Sequence, residues 1–191
     1  GYWVLDDITP LHFMEESAST KPLHVFPPRP GYRLSSGQGG GVTFSYILDE
    51  DSADSALELE IWRGKEKVRA YKKGGRGGLT AEEGMNRWTW NLQYEGAESF
   101  PGMINWNGAG ASPRAVPGVY EARFRAGEHE QQIEFTVLAD PRSSTSQGDL
   151  EKQLEFMIEV RDKLSATHRE IARVRDVRDQ IESISKKIKG R

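Results

Sequence analysis

Few side chains in this chain could do chemistry, and their spacing decides what they can do. Asp6-Asp7 and Glu15-Glu16 offer carboxylate pairs. Neighbours on an extended strand point to opposite faces, which is wrong for a shared acid/base site, so both pairs read as solvated or turn-capping groups. The histidines, His12, His24, His129 and His168, show neither HxH nor HxxxH spacing and form no metal-ligand set. His168 falls on an apolar helical stripe and reads as packed, whereas His129 falls at a hairpin tip and reads as exposed. The chain has no cysteine, and Ser35, Ser36 and Ser143 to Ser146 lie in loops with no histidine motif beside them. Nucleophilic catalysis therefore has no candidate. Gly37 to Gly41 precedes a strand rather than a helix, and Gly74 to Gly78 lacks the Lys-Ser/Thr that follows a phosphate loop. No catalytic, cofactor-binding or metal-binding residue is expected.

Aromatic residues carry more information. Trp88 and Trp90 alternate on one face of a strand, Tyr120 recurs on another, and all three are expected in a core. Trp62 falls on the opposite phase from Leu57, Leu59 and Ile61 and is expected near the surface. Trp106 sits in the insertion from Gln93 to Arg114 with Phe100, Met103 and Ile104. That cluster reads either as a loop folded over the domain edge or as an interface or sugar-stacking surface.

The elements that hold these residues come from periodicity. Val42 to Leu48, Leu57 to Ile61, Val68 to Tyr71, Trp88 to Leu92, Tyr120 to Phe124 and Ile133 to Val137 read as short strands. Asp49-Glu50-Asp51, Gly64-Lys65 and Gly127-Glu128 mark turns between them. No helical period interrupts the run, so the expected class is mainly β with a helical appendage: an immunoglobulin- or fibronectin-III-like antiparallel β-sandwich followed by one long amphipathic helix.

Three segments result: residues 1–34 as a strand and Pro-rich linker, 35–140 as the sandwich, and 141–191 as the helix. Phe26-Pro27-Pro28-Arg29-Pro30 supplies the linker signature, because proline fixes φ and removes a backbone donor. Ser146 and Asp149 resemble a capping box, and neither Gly nor Pro occurs from Asp149 to Lys189. Leu150, Leu154, Met157, Leu164, His168 and Ile171 follow 3/4 spacing, and Val174, Val177, Ile181, Ile184 and Ile188 continue it with a small phase shift. Glu159–Lys163 and Glu182–Lys186 are expected i,i+4 pairs. Such a helix is roughly 60 Å long, against a radius of gyration near 13 Å for a sandwich of about 100 residues. Its distal half needs a second helix, from the same chain or from a second copy.

The 191 residues carry a net charge of −3, with +3 from Arg142 onward and −6 before it. Neither value makes the field that attracts nucleic acid. No apolar run reaches the roughly 18 residues that cross a bilayer. The opening Gly1-Tyr2-Trp3-Val4-Leu5 reads as the inside of a strand, so a cut chain is expected.

Two motif sets carry resemblances. Gly84-x-Asn86-x-Trp88-x-Trp90-Asn91-Leu92, followed by Val116-Pro117-Gly118-Val119-Tyr120, resembles the Ig-like domain of the flagellar hook-capping protein. Tyr2 to Leu11, Phe26-Pro27-Pro28-Arg29, Phe100-Pro101-Gly102-Met103-Ile104-x-Trp106 and Asp140-Pro141-Arg142, in that order, resemble the C-terminal region of bacterial BNR-repeat, sortilin-type β-propeller proteins described as glycosyl-hydrolase-like. That resemblance implies a closing propeller strand at residues 1 to about 12, a helix that is half of a hairpin, and a periplasmic or secreted location. It lends no catalytic residue, since no Asp box occurs here.

The expected function is a non-catalytic structural or interaction module that braces a propeller and mediates assembly within the chain or between copies. The alternative is a carbohydrate-binding accessory module, resting on Trp106, Trp62 and Tyr94. The surface expected to carry interaction comprises Trp106, Phe100, Met103, Ile104, Trp62, Ile171, Val177, Ile181, Ile184 and Ile188.

Overall fold

A computed structural model describes residues 7–13, 21–34, 40–75, 77–104 and 112–189. A short helix α1 (Thr9–His12) is followed by strands β1 (Leu23–Val25), β2 (Gly31–Arg33) and β3 (Val42–Leu48). Helix α2 (Glu50–Asp54), β4 (Leu57–Arg63), β5 (Glu66–Lys72), β6 (Gly84–Trp90), β7 (Gly118–Ala126), β8 (His129–Ala139) and the long α3 (Gln147–Lys189) complete the order.

The strands form two sheets, β1-β3-β6 and β2-β8-β7-β4-β5. The run β8-β7-β4-β5 is the G-F-C-C′ order of an immunoglobulin variable-type sheet. The chain is therefore mainly β with a helical appendage, a two-sheet sandwich followed by one long helix. All pairings are antiparallel except β2 with β8, which is parallel, so the second sheet is mixed rather than purely antiparallel.

That parallel pair comes from residues 21–34, which the proline content marks as a connector but which supply an edge strand to each sheet. Leu23–Val25 pairs with β3, the prolines at 27, 28 and 30 carry the chain across, and Gly31–Arg33 pairs with β8. The physical reason is local: prolines cannot donate to a ladder, so they sit in the crossover between two three-residue edge strands. Gly31 allows the crossing, because a Cβ there would lie 2.1 Å from the Gly41 carbonyl oxygen. The sandwich thus begins near residue 22, ahead of the expected boundary at 34. The Gln131 side chain fastens the β1 edge, accepting from Val25 N–H at 2.8 Å and donating to its carbonyl at 3.0 Å.

A second difference lies at Asp49-Glu50-Asp51, which opens α2 rather than a plain turn. The Asp49 carboxylate accepts from Ser52 N–H at 2.8 Å and caps the helix.

Alternation in β3, β4 and β7 turns their apolar residues inward. Trp90 is fully buried, with its ring 5.5 Å from Tyr120 and 5.8 Å from Phe135, and its indole N–H donates to the Gln93 carbonyl. Phe44 and Tyr46 meet Phe124 from the other sheet, at ring distances of 5.6 Å and 5.3 Å. Tyr120 donates its hydroxyl to the Val116 carbonyl at 2.7 Å, the corner contact that ties the start of this strand to the segment before it. Trp88 is half-buried on the same face as Trp90 and packs edge-on against Tyr71.

Helix α3 starts as its sequence predicts. The Ser146 hydroxyl accepts from Asp149 N–H at 3.2 Å and donates to the Asp149 carboxylate at 2.6 Å. Its 43 residues span about 65 Å. Leu150 and Leu154 complete the sandwich core, with Ile158 packed beside them. Among the described residues, the i,i+4 ion pair in α3 is Arg178–Glu182, at 3.8 Å, and the two expected lysine pairs do not form.

Candidate interaction surface

Helix α3 presents two faces, where the sequence suggested one continuous stripe. The face on the sandwich runs through Leu150, Leu154, Ile158, Ser165 and His168. Polar contacts line it: Arg63 to Glu151 at 3.1 Å and Arg33 to Gln153 at 2.9 Å near the start. Further along, the segment around Glu98 clamps the helix. The Ser165 hydroxyl accepts from Glu98 N–H at 3.1 Å, Arg169 pairs with the Glu98 carboxylate at 2.6 Å, and a His168 ring nitrogen hydrogen-bonds the Glu98 carbonyl. Phe100 packs edge-on against His168 at 5.5 Å, and the Arg175 guanidinium covers its ring at 4.6 Å. Arg175 also donates to the Pro101 carbonyl. His168 is packed, as expected, but on this docked face and not with Leu164 and Ile171.

The second face is open. Phe156, Val160, Leu164, Ile171, Val174, Val177, Ile181, Ile184 and Ile188 are all exposed, Val174 at 68% and Ile188 at 70%. Val160, Thr167, Val174, Ile181 and Ile188 recur every seven residues, and all five are β-branched. Leu164 and Ile171 flank that row first, then Val177 and Ile184 take over on its other side. A seven-residue repeat drifts about 20° per heptad around a straight helix, which explains the phase shift in the sequence. This is the pattern of a coiled-coil seam.

The remaining candidates divide. Trp106 lies outside the described residues. Phe100 is committed to α3, Met103 is half-buried with its N–H on the Phe100 carbonyl, and Ile104 is exposed. Trp62 stands on the outer face of β4, where a register shift interrupts the pairing with β5. Its ring lies under the Arg123 guanidinium at 4.5 Å and near Lys67 at 5.9 Å, and its N–H donates to Glu60. Tyr94, named with Trp62 as a sugar-stacking ring, is fully buried in the core; burial raises its hydroxyl pKa to about 12. Its ring has no free face for a sugar.

Acidic groups do structural work. Asp7 accepts from Thr9 N–H and its hydroxyl, which hold its pKa below the ordinary value. Asp140 is buried and binds Arg142 through two oxygens, at 3.0 Å and 3.2 Å. Among the described residues no three His, Asp or Glu side chains gather to hold a metal, and no helix is long and apolar enough to cross a membrane.

Comparison with protein-family models, with curated proteins and with solved structures gave no match.

Proposed function

We propose that this chain is a non-catalytic structural and interaction module that works by helix pairing along the open face of α3. The observation that carries the reading is the β-branched heptad row from Val160 to Ile188, exposed along its length. An apolar row of this kind does not stay in water when a matching surface is within reach.

The occupant best suited to it is a second copy of α3 running antiparallel. The positions just before each heptad residue are Glu159, Ala166, Arg173, Gln180 and Lys187. In an antiparallel pair these positions face one another, so Glu159 of each copy meets Lys187 of the other, with Arg173 meeting its counterpart at the centre. The antiparallel pair thus sets two Glu159–Lys187 contacts against one Arg173–Arg173 repulsion, whereas a parallel pair brings Arg173 toward Arg178 twice with no Glu–Lys contact to offset it. Sedimentation of wild type against Ile181→Asp and Ile184→Asp variants tests the reading. Association that weakens in both variants, with helix content retained below the dissociation concentration, supports it.

The resemblance to propeller proteins supports a wider version, in which the module braces a β-propeller of a secreted or periplasmic protein. Its motifs have structural roles here. Phe26 is a core residue, Asp140 anchors the turn into α3, and Phe100 seats the helix. The alternative, a carbohydrate-binding accessory module, has less support, because Tyr94 is buried and Trp62 is covered by cationic side chains.

A further inference from the structure

A groove of about 400 Å³ lies where β2, the end of β8 and the first turns of α3 meet. Arg33 and Arg114 both line it, with hydroxyls from Ser112, Ser143 and Thr145 around them. Leu150, Leu154 and Met157 form an apolar wall.

The two arginines are the unusual part. Each is fixed by one hydrogen bond to a neutral acceptor, Arg33 to the Gln153 side chain at 2.9 Å and Arg114 to the Leu34 carbonyl at 2.7 Å. Neither guanidinium is in an ion pair with any described carboxylate. The carboxylate in the groove, Asp140, is engaged by Arg142. Arg33 Nε is shut off from solvent without a hydrogen-bond partner. Burial and then the charge of Arg114 push the Arg33 pKa down, and burial does the same to Arg114. Two half-buried like charges oppose folding unless something negative sits between them.

We propose that this groove binds a small organic anion, whose carboxylate or phosphate oxygens are held by Arg33 and Arg114 and whose body lies along the Leu150–Leu154–Met157 wall. The planar guanidinium forks suit a two-oxygen acceptor, and the ring of hydroxyls suits a polar ligand. The volume exceeds what a lone inorganic ion fills and falls in the range of small-molecule sites. Because the groove faces the sandwich, an occupant would touch both parts of the chain and stiffen the joint between them.

Calorimetric titration of the full chain with inorganic phosphate, glucuronate and glucose at low ionic strength tests the proposal. Saturable binding of glucuronate, phosphate or both is expected, with none for glucose. Glucuronate alone would identify a carboxylate ligand, and phosphate alone a phosphate ester. Arg33→Gln and Arg114→Gln should each weaken binding by about tenfold or more, while Arg178→Gln, on the distal helix, should not change it. Side-chain Nε–H resonances of Arg33 and Arg114 should shift during the wild-type titration, so the site can be read even where a variant folds poorly. No binding of either anion, or binding that leaves those two resonances unmoved, would overturn it.

Discussion

Replacing Trp90 by alanine should cost the sandwich several kcal/mol, while the same change at Trp62 should cost far less. Trp90 is fully excluded from solvent and lies between Tyr120 and Phe135. A tryptophan of this kind buries about 150–250 Å², which at about 25 cal/mol per Å² is an upper bound near 4–6 kcal/mol. Measured losses for Trp→Ala in cores are about 3–5 kcal/mol, because neighbours relax partly into the cavity. The Gln93 carbonyl also loses its indole donor. Trp62, half-buried on the outer face of β4, loses a cation–π contact with Arg123 worth about 0.5–2 kcal/mol and a hydrogen bond to Glu60. Urea unfolding followed by far-UV circular dichroism reads both losses directly. A cost under about 1 kcal/mol for Trp90→Ala, or equal costs for the two variants, would contradict the burial of Trp90 between the sheets.

Two further perturbations probe the helix joint and the core hydroxyls. Ser165→Ala removes the acceptor of the Glu98 N–H and should cost about 1–2 kcal/mol, with faster amide exchange at Glu98 and little change in the sandwich strands. At alkaline pH, Tyr71 and Tyr94 should resist ionisation, because burial raises both pKa values to about 12. The unfolded chain releases these protons near pH 10, so stability is intact below that, falls between about pH 10 and 12, and is gone from this source above. Absorbance at 295 nm should show a late tyrosine phase that coincides with unfolding; full titration of all tyrosines near pH 10 in the folded state would contradict the burial assignment.

Much of the fold was legible because period and burial agree where a strand is covered on one face. Leu57, Leu59 and Ile61, or Tyr120, Ala122 and Phe124, announce their sheet directly. The capping residues of α3 were legible for a similar reason, since Ser146 and Asp149 act within one turn. The edge strands β1 and β2 were hidden. Each is three residues long, too short for a period, and the prolines between them dominate local composition. Helix α3 showed its apolar residues but not their division into two faces. That division depends on the Glu98–Pro101 segment reaching across to His168 and Arg175, a contact more than 60 residues distant in sequence. The arginine groove was invisible for the same reason: Arg33 and Arg114 are 81 positions apart and meet only because β2 joins the second sheet.

The central claim is that the open face of α3 pairs with a second copy of itself. Sedimentation equilibrium of the intact chain over a wide concentration range tests it most directly. The structure predicts a monomer–dimer equilibrium that weakens with added salt, as Glu159–Lys187 contacts are screened, and that is lost in Ile181→Asp. A strict monomer at every concentration, with α3 fully helical and Val174 to Ile188 still in water, would contradict it.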